Sequence, residues 1–331
     1  MFSRTTSTRL MLATLGTLGT LAASPAALAQ AQWPTQPIHF IVPYAAGGAA
    51  DAVGRPITQA LTAALGTPVL LENRVGANTI VGAEVAAKSA PDGYTLLLAG
   101  SSTLALNPAG YKSLPYDVQR DFVSIAKTVS NYHLIVARKD FGPSTMAATM
   151  ALAKSKPETV SYGSTGIGSP THFAGLLMEM MGGVKMLHVP YKGISLVVND
   201  LLGGQVDISA SAPSAVLPHI KTGRLKVLAA TSEKRLPSAP DVPTMWEMGY
   251  TGFTSGAWYV VVARTGTSAA IVNRLNVEIN KALQVPATRA MLEANDFAVD
   301  GDLTPAQSAK FVTDEIVKWT KIVKAAKISF D

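Results

Sequence analysis

The stretch Ile38-His39-Phe40-Ile41-Val42-Pro43-Tyr44-Ala45-Ala46-Gly47-Gly48 decides the fold. Its first five residues are a β-rich run. Pro43 ends the run, because proline has no amide to give a ladder. Two glycines make the turn. Beyond them Val53, Ile57, Ala60, Leu61, Ala64 and Leu65 share one helical face up to Gly66, a natural helix stop. Pro56 lies inside this pattern and is expected to kink the helix or delay its start.

The same strand–turn–helix cycle repeats outward. Val69–Leu71 and Tyr94–Ala99 read as strands around a short helix over Thr79–Lys88. From His133 the cycle restarts, with strands over Leu134–Ala137, Val160–Ser164, Lys185–Val189, Val206–Ser211 and Leu225–Thr231. Helices over Ser144–Lys154, Pro170–Met181, Ser195–Leu202 and Ala215–Lys221 alternate with them. Apolar strands separated by helices predict an α/β fold whose sheets are mostly parallel and flanked by helices. Leu236–Pro243 holds three prolines and reads as a stiff connector. One more strand over Trp258–Ala263 precedes a helical C-terminus, where Ile271, Leu275 and Ile279 line one face. The last helix opens on Thr304-Pro305-Ala306-Gln307, a capping box with proline in the first turn, and buries Val312, Ile316, Trp319 and Val323.

Composition narrows the function. A length of 331 residues favours two domains. The absence of cysteine excludes disulfides, thiolate nucleophiles and Cys-ligated metals. The net charge of +6 is mild and spread without clusters, which argues against a nucleic-acid partner. At the N-terminus Arg4 and Arg9 precede an apolar run over Leu10–Ala23, and Ala27-Leu28-Ala29 fits a small-x-small cleavage site. Residues 1–29 therefore read as a cleaved export signal, and the mature chain is expected to be exported. Cleavage removes two arginines and brings the charge to +4.

Two glycine-rich turns carry the suggestive chemistry. The first is Pro43–Gly48, with Asp51 just beyond. The second is Gly163-Ser164-Thr165-Gly166-Ile167-Gly168-Ser169, where Ser169 is placed to cap a helix that has Pro170 and His172 in its first turn. Both turns follow a strand and open a helix, the place where ligands bind in open α/β sheets. Exposed amides and hydroxyls at a helix N-terminus suit a carboxylate or another small anion. Either turn alone is an ordinary α/β connection, and Asp51 alone is an acid favoured by the helix dipole. A pair of them, one in each half, points to a ligand held between two lobes.

Catalytic signatures are missing. Neither turn fits a dinucleotide or phosphate-loop fingerprint, and no serine sits in Gly-x-Ser-x-Gly. The five histidines, His39, His133, His172, His188 and His219, show no metal-ligand spacing. A binder is expected, with no cofactor and no metal.

Longer segments then coincide in order and spacing with one family. They are Ile41-Val42-Pro43-Tyr44-Ala45-Ala46-Gly47-Gly48-x-x-Asp51, Glu72-Asn73-Arg74-x-Gly76-Ala77, Pro91-Asp92-Gly93-Tyr94-Thr95-Leu96 and Leu114-Pro115-Tyr116-Asp117. Tyr162-Gly163-Ser164-x-Gly166-x-Gly168-Ser169-x-x-His172, His188-Val189-Pro190-Tyr191-Lys192-Gly193, Gly204-Gln205-Val206-Asp207 and Pro240-Asp241-Val242-Pro243-Thr244 continue the series. The chain resembles the Bug family of periplasmic solute-binding proteins, the TctC-like receptors of tripartite tricarboxylate transporters.

The resemblance implies a two-lobed Venus-flytrap fold of the type II-like periplasmic binding class. Lobe 1 would take residues 30–129 and 256–331, and lobe 2 residues 130–255. It implies a small carboxylate held through main-chain groups and hydroxyls, delivery to membrane permease subunits, and a monomer. By position, the first-lobe contacts fall on Tyr44, Ala45, Ala46, Gly47, Gly48 and Asp51. The second-lobe contacts fall on Ser164, Thr165, Gly166, Gly168, Ser169 and His172. Ser101 and Ser102 would line the cleft, and Ser211 would reach the variable end of the ligand. The chain departs from the family at Asn78-Thr79, where Gly-Gly is frequent, and at Ser195-Leu196, where a Pro-Ala pair is frequent. Two other readings compete: an exported sensor that presents the same ligand to a signalling partner, and an exported hydrolase with Ser164 or Ser169 as nucleophile and His172 as base.

Overall fold

The run that opens the fold becomes β1 (Ile38–Val42), with every residue except His39 buried. Its turn leads into α1 (Ala49–Leu65), then β2 (Val69–Asn73), α2 (Ile80–Ala87) and β3 (Thr95–Gly100). A π-turn over Ser102–Leu106, two short helices α3 (Asn107–Gly110) and α4 (Val118–Asp121), and the long β4 (Phe122–Tyr132) follow. The second half runs β5 (Leu134–Arg138), α5 (Met146–Ser155), β6 (Ser161–Ser164), α6 (Pro170–Gly182), β7 (Leu187–Pro190) and α7 (Ile194–Leu202). It continues through β8 (Ile208–Ser211), α8 (Pro213–Lys221) and β9 (Leu225–Ala230). The chain ends with β10 (Gly256–Arg264), α9 (Ala269–Gln284), α10 (Pro286–Ala294), β11 (Ala298–Val299) and α11 (Pro305–Ala326). This computed structural model describes residues 33–326 together with Met1, Ser329 and Phe330. The expected export signal falls largely on residues 2–32, which lie outside the described residues. Among the described residues no helix is long and apolar enough to cross a membrane.

The strands sort into two sheets, ordered β11-β4-β10-β3-β1-β2 and β7-β6-β8-β5-β9. Helices flank both, which gives the expected two-lobed α/β architecture. The sheets are mixed, however, and not mostly parallel. β2, β1 and β3 are parallel, as are β7, β6 and β8. β10 runs against β3 and β4, and β5 runs against β8 and β9. The cause is topological. β4 leaves the first sheet at the edge where β1 and β3 end, so β5 must enter the second sheet from its corresponding edge and run against the parallel set. β9 and β10 repeat this on the return. β4 also pairs with β10 as far as Tyr132, opposite Gly256, so the first sheet extends three residues past the expected boundary at 129.

Local signals behave largely as read. Gly66 closes α1 with φ +67° and donates its amide to the Thr62 carbonyl at 3.1 Å. The Thr304 and Gln307 capping box forms in both directions, at 2.9 and 3.2 Å. Pro56 neither delays nor ends α1, which starts seven residues earlier at Ala49. Burial of Ala50, Val53, Ile57 and Leu61 against the sheet outweighs the one backbone bond that proline removes. Across the lobes, Trp319 of α11 meets Phe173 of α6 edge-on, with centroids 4.7 Å apart.

The two crossings between sheets are stitched to each other. The His133 amide donates to the Thr231 hydroxyl at 2.9 Å, and the Thr231 amide donates back to the His133 carbonyl at 2.9 Å. The Thr231 hydroxyl donates to the Ser255 carbonyl at 2.5 Å, and the Ser255 hydroxyl reaches the Pro170 carbonyl at 2.9 Å. All three residues are buried. Thr231→Val keeps the shape but strands the His133 amide and the Ser255 carbonyl. It should cost about 2 kcal/mol and lower Tm by about 5 °C in a thermal melt. An unchanged Tm would show that these bonds do not hold the crossing.

Candidate functional site

The β1–α1 turn is built around a buried carboxylate. Gly47 takes φ +76°, a left-handed conformation natural to glycine, and its amide donates to Asp51 Oδ2 at 3.0 Å. Arg55 Nε donates to the same oxygen at 2.7 Å. Asn73 Nδ2 donates to Asp51 Oδ1 at 3.4 Å and to the Tyr44 carbonyl at 3.0 Å. Burial alone would raise the Asp51 pKa, but the bonds from Gly47, Arg55 and Asn73 outweigh it and hold the group below its ordinary value. Asp51 is only 3% exposed, so it braces the turn from within and its oxygens are already committed. What the turn offers outward is backbone. Ala45, Ala46, Gly47, Gly48 and Ala49 are exposed, and Gly48 precedes α1 as its N-cap without any side-chain cap. The Gly48 amide bonds the Ala45 carbonyl at 3.4 Å and the Asp51 amide the Gly48 carbonyl at 3.1 Å, which leaves the amides of Ala49 and Ala50 for an acceptor, with the helix dipole behind them.

Tyr44 stands behind the turn. Its hydroxyl lies so close over Gly100 that a Cβ there would meet it at 2.2 Å, and its ring meets Tyr259 edge-on at 5.8 Å. Burial pushes the Tyr44 phenol well above its ordinary pKa, so it stays neutral. Ser101 and Ser102, expected to line the cleft, are 3% and 8% exposed and sit where β3 passes into the π-turn.

Beside this turn, Ala77, Asn78 and Thr79 all take positive φ, at +43°, +49° and +76°. Three successive non-glycine residues in the left-handed region store strain. Hydrogen bonds hold them there. Asn78 Nδ2 donates to Asn107 Oδ1 at 2.7 Å, and Asn107 Nδ2 donates to the Asn78 carbonyl at 2.8 Å. The Thr103 hydroxyl donates to Thr79 Oγ1 at 2.8 Å, and Tyr116 ties the Thr103 carbonyl at 2.8 Å. The departure from Gly-Gly at Asn78-Thr79 is thus compensated by the π-turn and α3. Asn107→Ala should destabilise the chain by about 2 kcal/mol, and by clearly less in an Asn78→Gly/Thr79→Gly background, in a double-mutant cycle of denaturation free energies. Equal losses in both backgrounds would sever the link between Asn107 and the strain.

The second glycine-rich turn is closed on itself. Thr165 N–H donates to Thr171 Oγ1 at 2.8 Å, Gly166 N–H to Ser164 Oγ at 3.1 Å and Gly168 N–H to His172 Nδ1 at 3.2 Å. The Ser169 amide donates to the Gly166 carbonyl at 3.2 Å. Ser169 caps α6 as read, accepting from the His172 amide at 3.2 Å. The His172 ring lies away from the first turn and lines, with Tyr162 and His188, a separate cavity of about 500 Å³. It stacks on His188 at 4.2 Å, and His188 stacks on Tyr162 at 4.8 Å. The hydrolase pairing also fails, because Ser164 is fully buried and bonds His188 Nε2 at 2.7 Å in place of His172. Burial, with the charge of His188 second, lowers the His172 pKa to about 4, and burial lowers that of His188. Burial also lowers His133 to about 4. Between about pH 6.5 and 4 the unfolded chain binds protons that these rings refuse, so stability must fall as the pH drops through that window. His172→Phe should flatten the fall of Tm between pH 6.5 and 4.5. A variant as acid-sensitive as the parent would show that His172 titrates normally.

The two lobes enclose a cavity of about 230 Å³ where their sheet edges face each other. Gly47, Gly48, Ala49 and Ala52 supply the turn and first helical turn of α1. Asn131, Ala257 and Tyr259 come from β4 and β10, Asn295 and Phe297 from the segment after α10, and Ala212 and Ser214 from the start of α8. Of the expected contacts the structure brings Gly47 and Gly48 here. Ser164, Thr165, Gly166, Gly168, Ser169 and His172 form their own network outside this lining, and Ser211 is fully buried, hydrogen-bonded with Ser209 at 3.1 Å, one residue before the lining. Sequence reading missed Tyr259, Phe297, Asn131 and Ser214. Tyr259 had one usable signal, as an aromatic residue in a strand of the first lobe; the others arrive through long-range strand pairing.

The sequence profile of the tripartite tricarboxylate transporter family receptors, TctC, matches residues 53–328. Protein BugT of Bordetella pertussis is 37% identical over 319 residues, which cover 95% of this chain and 96% of that protein. The solved structure of the periplasmic binding protein BugD superposes with a TM-score of 0.74 at 32% identity, covering 90% of this chain and 99% of that one. MatC from Rhodopseudomonas palustris, solved with bound malate, superposes with a TM-score of 0.74 at 31% identity, covering 88% of this chain and 100% of that one. The chain belongs to the TctC family of tripartite tricarboxylate transporter receptors, alongside the Bug proteins, and is a solute-binding receptor, not an enzyme.

Proposed function

We propose that this receptor captures a small carboxylate in the 230 Å³ cavity between its lobes and delivers it to the membrane permease subunits of a tripartite tricarboxylate-type transporter. The observation that carries the reading is the start of α1, which no side chain caps and whose Gly47, Gly48, Ala49 and Ala52 line the cavity. A carboxylate bonded by several backbone N–H groups at a helix N-terminus gains charge-assisted bonds and the dipole term together. The malate bound by MatC supports the same chemistry. The lobes in this reading meet at the crossings after Tyr132 and before Gly256, and closure of one on the other excludes water from the bound carboxylate. The receptor acts as a monomer in the periplasm, after loss of residues 1–29.

Purified mature chain, titrated with a panel of carboxylates, tests this. An acid at about a hundred times its Kd should raise Tm by about 5–10 °C, and the matching primary amides should not. Asp51→Asn should weaken that acid about tenfold by loosening the turn. If no carboxylate moves Tm or tryptophan fluorescence while a different class of solute does, the reading is wrong.

A further inference from the structure

Phe330 stands four residues past the end of α11 and packs between two loops that belong to different sheets. Its amide donates to the Gly110 carbonyl at 3.1 Å. Its ring meets Tyr111 edge-on at 5.4 Å and Phe173 edge-on at 6.0 Å. The ring lies so close over Gly110 that a methyl there would run into it, and a Cβ on Gly168 would meet it at 3.1 Å. Gly110 and Tyr111 follow β3 of the first sheet, at the end of α3. Gly168 and Phe173 follow β6 of the second sheet, in the glycine-rich turn and the start of α6. Gly110 is helical and has no positive φ, so its backbone does not call for glycine; the ring above it does.

We propose that Phe330 is a pin between the lobes, which holds the loop after β3 on the turn before α6 and so sets the balance between open and closed receptor. Both loops follow the carboxyl ends of parallel strands, and lobes that turn on the two crossings must change the gap between them. A contact that spans the gap exists in one arrangement only, so its whole free energy weighs on that side of the equilibrium. Trp319 also joins α11 to Phe173, but it is 2% exposed and sits inside the shared core. Phe330 is only partly buried against that core, so it is the member of the pair that can leave its seat. Gly110, Tyr111, Gly168 and Phe173 are absent from the lining of the 230 Å³ cavity. Phe330 is therefore a positioning residue, acting on a ligand through the arrangement of the lobes. The arrangement it favours is the one seen here, in which the cavity is enclosed.

The sequence has no cysteine, so two can be introduced as unique labelling sites. Val85→Cys on α2 and Leu196→Cys on α7, at positions 44% and 49% exposed, carry spin labels on the two lobes. Pulsed electron resonance then reads their separation in the unliganded chain. Phe330→Ala removes the ring, Gly110→Ala keeps the ring but fills its seat, and Gly142→Ala adds the same methyl where nothing lies within 4 Å. The first two should broaden the parent's separation or add a longer one, and the third should leave it as it is. A parent-like distribution in either of the first two overturns the pin, because ordinary packing would cost stability without moving the lobes. Should Phe330→Ala not fold, Gly110→Ala decides alone. A second arm rests on the carboxylate reading above: the acid that most raises the parent's Tm should bind both variants about tenfold more weakly. Unchanged affinity beside a shifted separation overturns the coupling to binding. If no acid binds the parent, the carboxylate reading fails and the distance measurement still decides the pin.

Discussion

The chain crosses between its sheets twice, and the hydroxyl of Thr231 ties the two crossings together. That constraint orders the rest. Because β4 and β9 both leave their sheets at the edge where the parallel strands end, β5 and β10 are obliged to enter from the corresponding edge and run antiparallel. The mixed sheets are therefore a consequence of two lobes joined at one end. The same geometry sets the loops after β1, β2 and β3 opposite those after β6 and β8. In parallel sheets those strand ends are where helix N-termini gather and where ligands bind. Once the crossings are fixed, a cavity between facing helix starts needs no further design.

A binding turn made of amides must be rigid without spending the amides that bind. Asp51 resolves that conflict. It takes one amide, that of Gly47, and anchors the rest through Asn73 and the Tyr44 carbonyl, leaving the Ala49 and Ala50 amides. The strained residues Ala77–Thr79 lie on the next loop at the same edge, and the π-turn after β3 supplies their bonds through Thr103, with α3 adding Asn107. Strain and irregular helix thus coincide at the end of the first lobe that faces the cavity, as is common where backbone geometry serves a site. By contrast the turn before α6 uses its amides on its own side chains. Four of them are bonded within residues 164–172. Its rigidity is internal, reinforced by the His172, His188 and Tyr162 stack.

This difference explains what the sequence could and could not show. Both turns have glycine, hydroxyl and helix-start signals, and by composition they look equivalent. Strand and helix identity followed from periodicity, and the caps at Gly66, Ser169 and Thr304 followed from local chemistry within four residues. Strand direction did not follow, because it depends on where the chain leaves a sheet. Asp51 read as either a ligand contact or a dipole-favoured acid. Its actual role needs Asn73, twenty-two residues away and brought beside it by the β1–β2 pairing. Phe297 and Asn131 were invisible for the same reason: they share a cavity with Gly47 only through β4 and the chain after α10.

The cavity also bears on how far the family's name can be extended to its members. A receptor that gripped its solute through arginines would fix the number of carboxylates by counting cations. In the proposed mode the grip is backbone, and backbone is indifferent to what lies beyond the first carboxylate. Selectivity then falls to the other side chains of the cavity. Phe297 and Ser214 come from segments that make no hydrogen bond with Asp51, whereas Tyr259 packs on Tyr44 of the turn itself. In that mode the turn around residues 43–51 speaks for the class of ligand, and the remaining side chains of the cavity speak for the member of that class.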